Sequence, residues 1–178
     1  MKTITLIRHA ESETNVKQIH NSNPSHIYKL TPRGYKQVEN IAEQLKDKSF
    51  DCMYSSQIHR AKETAKIINK HHNLEIIEDN RINEKKAGIE GGPLEEFLTL
   101  EKEANDKMNF KINDGESWNE LIQRVHEFLD EILNSQYSNI VIISHGDPLV
   151  AMIQYFRGDK NVFNIEMPRN CEVITFNV

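Results

Sequence analysis

A chain of 178 residues, 38% hydrophobic and 28% charged, fits one domain able to bury roughly 70% of the surface its unfolded form exposes. Its net charge of −5 argues against the broad basic face that nucleic acid or an anionic membrane would require of a partner. No stretch approaches the ~20 apolar residues of a membrane span and the N-terminal apolar run is too short for a secretory signal, so a cytoplasmic location is expected.

Thr3–Ile7 is β-branched and apolar, the pattern of a central strand, and it runs directly into Arg8-His9. Thr31-Pro32 reads as an N-cap with proline at the first helical position, followed by Val38, Ile41, Ala42 and Leu45 on one face. Phe50–Tyr54 predicts a second strand. Ile58, Ala61, Ala65 and Ile68 then form the inner stripe of a helix ending near His71-His72, with Leu74–Ile77 as a third strand. After the Gly-rich stretch Gly88–Pro93, a helical pattern covers about Leu94 to Met108, and about 88–113 reads as a small cap segment. Ser117-Trp118-Asn119-Glu120 is a capping box, and behind it Leu121, Val125, Phe128, Leu129 and Ile132 give the clearest amphipathic helix of the chain. Ile140–Ile143 predicts a buried strand leading to Ser144-His145-Gly146. Asp147-Pro148 then reads as N-cap and first-turn proline of a helix, and Cys171–Phe176 closes as a strand. Cys52 and Cys171 lack paired-ligand spacing and read as small buried hydrophobes in a reducing compartment.

Strands alternating with helices imply an α/β fold with a mainly parallel sheet covered on both faces. Ligands of such sheets lie beyond the carboxyl ends of the strands, where both His9 and His145 fall. Phosphoryl transfer needs a nucleophile, cations for the equatorial oxygens and an acid for the leaving oxygen. His9 suits the first role, Arg8, Arg60 and His145 the second with Asn15 as a neutral donor, and Glu84 the third. The backbone N–H groups of Gly146 and Asp147, at a helix start, would also suit a phosphate. Each has a structural alternative: Asn15 could cap a turn, Arg60 lie on a helix surface, Glu84 belong to a solvated loop and His145 be a hydrogen-bonded core histidine. A metal site built on His71-His72 with His20 or His26 is disfavoured, because adjacent histidines on a regular helix cannot both face one ion.

Five ordered motifs resemble those of the histidine phosphatase superfamily, the phosphoglycerate mutase-like family. They are Arg8-His9-Ala10-Glu11-Ser12 with Asn15, Leu30-Thr31-Pro32-Arg33-Gly34-Tyr35-Lys36-Gln37, the run Ser55 to Ala65 around Arg60, Gly115-Glu116-Ser117, and Ser144-His145-Gly146. The resemblance spans essentially the whole chain. It implies a single domain over 1–178 with a three-layer α/β/α sandwich, a phosphohistidine on His9, and phosphoryl binding by Arg8, Asn15, Arg60, His145 and Gly146. It also implies Glu84 as proton donor and then acceptor, with no metal or organic cofactor. The expected activity is hydrolysis of a small phosphorylated metabolite; the alternatives are a mutase-type isomerase and a phosphatase acting on a phosphoprotein. Two departures stand out. Ala10 replaces the usual glycine, where a methyl group would be strained at positive φ. The Glu84 neighbourhood is one residue shorter than the common pattern and lacks its tryptophan, which makes Glu90 a fallback acid.

Overall fold

The computed structural model describes residues 1–178. Strands β1 (Thr3–Arg8), β2 (Cys52–Ser55), β3 (Ile76–Glu78), β4 (Asn139–Ser144) and β5 (Val173–Asn177) form one sheet in the order β3-β2-β4-β1-β5. The first four are parallel, and β5 pairs antiparallel to β1 at one edge. Side-chain alternation along β1 and β4 divides the core in two. Ile4, Leu6, Ile140 and Ile142 face a layer built with Leu121, Val125, Phe128 and Leu149, whereas Ile7, Val141 and Ile143 face one built with Val38, Ile41, Ala61 and Ile68. Helices α2 (Pro32–Leu45) and α3 (His59–Ile68) therefore cover one face. Two others, α5 (Trp118–Leu133) and α6 (Gly146–Arg157), cover the opposite face and complete the expected sandwich. Two short elements lie outside these layers: α1 (Glu13–Lys17) after β1, and α4 (Leu94–Glu103).

The capping signals behave as their chemistry requires. Thr31 Oγ1 accepts from Gly34 N at 2.9 Å, and Ser117 and Glu120 form the reciprocal box that opens α5. Two expectations need correction, and one helix was not expected. The helix from Leu94 stops at Glu103, because Ala104 turns extended and the Asp106 carboxylate takes up the Asn109 amide in a turn of its own. Asp147 is not an N-cap: His145 occupies that position in extended conformation, which makes Asp147 the second helical residue and Pro148 the third. The helix α1, too short to show a periodicity, was not foreseen; it is held by Ser12 and Asn15 in a capping box. The other differences shift strand ends by one or two residues. Ala10 is accommodated without strain, since its φ is not positive and its methyl is wholly buried in the core. Cys52 and Cys171 are separate, buried thiols. No helix is long and apolar enough to cross a membrane.

Candidate active site

Parallel pairing of β1 with β4 sets Arg8 opposite Ser144, so the next residue on each strand, His9 and His145, emerges at the same end of the sheet. Their rings lie 5.0 Å apart. His9 is fixed in one tautomer. Its Nδ1 lies 2.7 Å from the Ala10 carbonyl, which can only accept, so Nδ1 carries the proton. The lone pair therefore sits on Nε2, where it accepts from Arg60 Nε at 3.1 Å. Burial, then the guanidinium groups of Arg60 and Arg8, hold the His9 pKa well below the usual 6.5, which keeps the imidazole neutral and nucleophilic. The loop carrying it is clamped from several sides. Thr64 Oγ1 accepts from Ala10 N, Asn170 Nδ2 donates to the His9 carbonyl, and Gln37 Oε1 accepts from Glu11 N. Gly34 packs so closely on that loop that a Cβ would fall 2.0 Å from the Glu11 carbonyl oxygen. The Leu30–Gln37 element thus supports the histidine without reaching it.

A second tautomer follows from a short chain of hydrogen bonds. Asn83 Oδ1 accepts from both Gln57 N and Ser56 Oγ at 2.8 Å, so the Ser56 hydroxyl proton is committed there. Ser56 Oγ must then accept from His145 Nε2–H at 2.7 Å, and His145 Nδ1, buried and without a partner, carries the lone pair. Burial and then Arg60 lower the His145 pKa well below 6.5. A nearby anion would offset both effects and let Nδ1 take a proton; His145 itself is fully buried against His9 and is not part of the cavity wall. Arg60 is buried, and burial pulls its own pKa down to about 10. Its Nη1 and Nη2 donate to the side chain and backbone oxygens of Asn21 at 2.8 and 2.9 Å. Arg8 is anchored through Nη1 to the Pro168 carbonyl at 2.6 Å, while its buried Nε has no partner. Gly146 brings the start of α6 beside it: a Cβ there would lie 3.6 Å from Arg8 Cζ and 2.3 Å from Met167 Sδ.

Arg8, His9, Asn15, Arg60, Glu84 and Gly146 all line one cavity of about 450 Å³. Asn15 reconciles its two readings. Its Oδ1 accepts from Ser12 N and Oγ in the α1 cap, which leaves the Nδ2 donor for the cavity. Glu84 turns one carboxylate oxygen to the Lys85 amide and stands near enough to Arg60 to be its strongest ionic neighbour. Glu90 does not reach the cavity. Asn21, Ser22 and Asn23 donate to its carboxylate and hold its pKa below the ordinary value, against the burial that raises it. The fallback acid is therefore a buttress: Glu90 holds Asn21, and Asn21 holds Arg60. The sequence offers Asn21 only as one polar residue of a candidate pocket rim, Gln18–Tyr28; its pairing with Arg60, 39 residues away, has no local signature. Nor does the sequence assign the Asp147 side chain, read there as a helix cap, or Lys85 to the site, and Asp147 lines the cavity beside Glu101 and Trp118. His72 packs edge-on against Phe50, while His20 lies on the cavity wall.

The fold and motifs are shared with known proteins. Residues 4–178 match the model of the histidine phosphatase superfamily (branch 1). Phosphoserine phosphatase 1 of Hydrogenobacter thermophilus is 34% identical, over 85% of this chain and 74% of its own length. The 2,3-bisphosphoglycerate-dependent phosphoglycerate mutase of Thermoplasma acidophilum is 32% identical, over 100% of this chain and 88% of its own. The crystal structure of the alpha-ribazole phosphatase of Shigella flexneri superimposes with a TM-score of 0.85 at 25% identity, covering 99% of this chain and 90% of that one.

Proposed function

The chain belongs to the histidine phosphatase superfamily, and from that premise we propose that it hydrolyses a small phosphomonoester through a phosphohistidine on His9. The observation that carries this reading is the lone pair of His9 Nε2, turned to the Arg60 Nε–H at 3.1 Å and 5.0 Å (ring to ring) from His145. A neutral nucleophile faces two donors suited to a phosphoryl group, one fixed and one able to take a proton.

In the first step His9 Nε2 forms a bond to phosphorus while the ester P–O bond breaks, and the departing oxygen keeps the electron pair and takes a proton from Glu84. The Arg60 Nε–H passes from Nε2 to a phosphoryl oxygen as the lone pair is used. Arg8, Asn15, the Gly146 amide and His145 Nδ1–H hold the remaining oxygens, so charge builds against preorganised donors. In the second step Glu84, now a carboxylate, removes a proton from water that attacks phosphorus. Inorganic phosphate leaves and the Nε2 lone pair is restored.

Hydrolysis is favoured over phosphate relocation by the modest cap. Of the 88–113 segment only the ten-residue α4 lines the cavity, beside the short stretches around His20 and Phe163, whereas a mutase must retain its intermediate away from water. A cavity of about 450 Å³ matches a small metabolite better than a phosphoprotein segment. Two buried free thiols suit the reducing cytoplasm in which we place the enzyme. The test is phosphate release from p-nitrophenyl phosphate and a panel of metabolite phosphates by the wild type and His9→Ala. Turnover is expected to vanish in the variant, together with an acid-labile phosphoryl adduct trapped on the wild type by quenching. Retained turnover would refute the mechanism, and isomerised 3-phosphoglycerate without free phosphate would make the protein a mutase.

A further inference from the structure

Beside the phosphoryl-binding residues, the cavity has a second wall that the chemistry above does not use. Lys85 is completely buried. Its Nζ lies 4.4 Å from the ring centre of Phe97 and 5.4 Å from that of Trp118, and donates to Glu101 Oε1 at 3.3 Å. Trp118 Nε1 donates to the same oxygen at 2.9 Å, so Glu101 is fixed and its Oε2 has no protein partner. Asp147 lines this wall too, without a hydrogen-bond partner for its carboxyl group. Buried His20, packed on Phe97 with ring centres 5.9 Å apart, adds an Nδ1 that no protein group satisfies. An unpartnered, enclosed polar atom on a cavity wall is the mark of a group that meets a ligand.

The charges on this wall are lopsided. Arg8 and Arg60 are matched by the two negative charges of a phosphoryl group. Around the alcohol portion Glu101 is paired with the one ammonium, that of Lys85, and Glu84 carries the proton it gives to the leaving oxygen, which leaves the Asp147 carboxyl group without a cation. An alcohol bearing its own carboxylate would enter as a further anion, with no free cation to receive it. An alcohol bearing an ammonium would relieve the imbalance. Asp147 directly follows the Gly146 amide at the phosphoryl end, so its carboxyl group lies within a few bonds' reach of the ester oxygen.

We propose that this wall selects phosphate esters of short amino alcohols, with Asp147 as the counter-ion of the substrate ammonium and Glu101 Oε2 and His20 Nδ1 as flanking acceptors. The proposal rests on the phosphatase reading and deepens it by naming the leaving group. Asp147 is faced by Glu84 and Lys85 from the loop after β3, Glu101 from α4 and Arg8 from β1. Burial, then Glu84, raises its pKa to about 7, so in the empty site the carboxyl group is ready to give up a proton when a cation arrives.

The experiment compares three esters of equal length: O-phosphoethanolamine, 2-hydroxyethyl phosphate and 2-phosphoglycolate, whose terminal groups are cationic, neutral and anionic. The expected order of kcat/KM is cationic over neutral by about tenfold or more, with the anionic ester last. Asp147→Asn should collapse the cationic-to-neutral ratio to within about threefold, chiefly through KM. A second measurement needs no variant: in the wild type that ratio, with each rate referred to the dianion of its own ester, should fall as pH drops below about 7, where Asp147 takes up its proton. A neutral or anionic ester handled as well as the cationic one overturns the proposal, as does a preference indifferent to Asp147 and pH. Turnover of p-nitrophenyl phosphate keeps the two readings apart. If it persists, only the leaving group is misassigned; if it is absent, the phosphatase reading fails and this proposal falls with it.

Discussion

Asn21→Ala tests how the site is held together. Asn21 touches neither of the reacting histidines, yet it receives two donors of the buried Arg60 guanidinium and gives one to Glu90. Truncation removes the Oδ1 acceptor and keeps the backbone carbonyl, so Nη2 stays bonded while Nη1 is left without a partner beside the cavity. A buried charged donor that loses its acceptor costs about 1.5–3 kcal/mol. Glu90 retains three donors, from Ser22 N, Ser22 Oγ and Asn23 N, and adds little further loss. The unfolding free energy should therefore fall by about 2 kcal/mol in urea titrations. Catalysis should suffer by a different route. Arg60 Nε would no longer be aimed at the position of the phosphoryl oxygen, and part of a preorganised donor's contribution of about 3 kcal/mol would be lost. A loss of about 1–2 kcal/mol corresponds to a five- to thirtyfold drop in kcat/KM for p-nitrophenyl phosphate. If Asn21→Ala loses stability but keeps full kcat/KM, Arg60 is held by other means and the buttress from Glu90 through Asn21 has no part in function. Unchanged values for both would refute the reasoning altogether.

Two further perturbations probe the acid and the histidines. Glu84→Gln keeps the oxygen that accepts from Lys85 N but loses the proton, so kcat for an alkyl phosphate should fall by about 10²–10⁴. With p-nitrophenyl phosphate, whose leaving group needs no acid, the variant should release one equivalent of nitrophenol in a burst and then stall as phosphoenzyme; a steady wild-type rate would remove Glu84 from both steps. Acid stability follows from the buried imidazoles. The pKa values of His9 and His145 are lowered in the folded state, so below about 6.5 the unfolded chain takes up protons that the native state refuses, and stability present above that pH is lost as pH falls. Asp147 acts in the opposite sense, with its pKa raised to about 7, so the informative comparison is between proteins rather than along one curve. Between pH 7.5 and 5.5 the urea midpoint should fall less in His9→Asn than in the wild type. Equal falls would mean that His9 is not buried as a neutral ring.

The local period of the chain was enough to define its layers. Alternation along β1 and β4, the apolar stripes of α2, α3 and α5, and the caps at Thr31 and Ser117 are contacts of near neighbours, so their geometry is written in spacing alone. The motifs also marked His9, Arg60 and His145, because strand ends and helix starts are the places where such groups can face a ligand. Where the sequence misled, a competing local role was at work. Asp147 before proline carries a capping signal, but the extended backbone of His145 had already taken the cap, and the freed carboxyl turned to the cavity.

What the tertiary structure alone decided is the division of labour among the carboxylates and the second wall of the pocket. Glu84 and Glu90 are six positions apart on one loop and equivalent by composition; only the fold carries one to the cavity and locks the other under Asn21. The contacts of Lys85 with Phe97, Glu101 and Trp118, and of Arg60 with Asn21, join segments distant along the chain. Such pairings are set by how helices and loops pack over the sheet, a many-body outcome of burying apolar surface while satisfying every enclosed polar group, and no residue spacing encodes them.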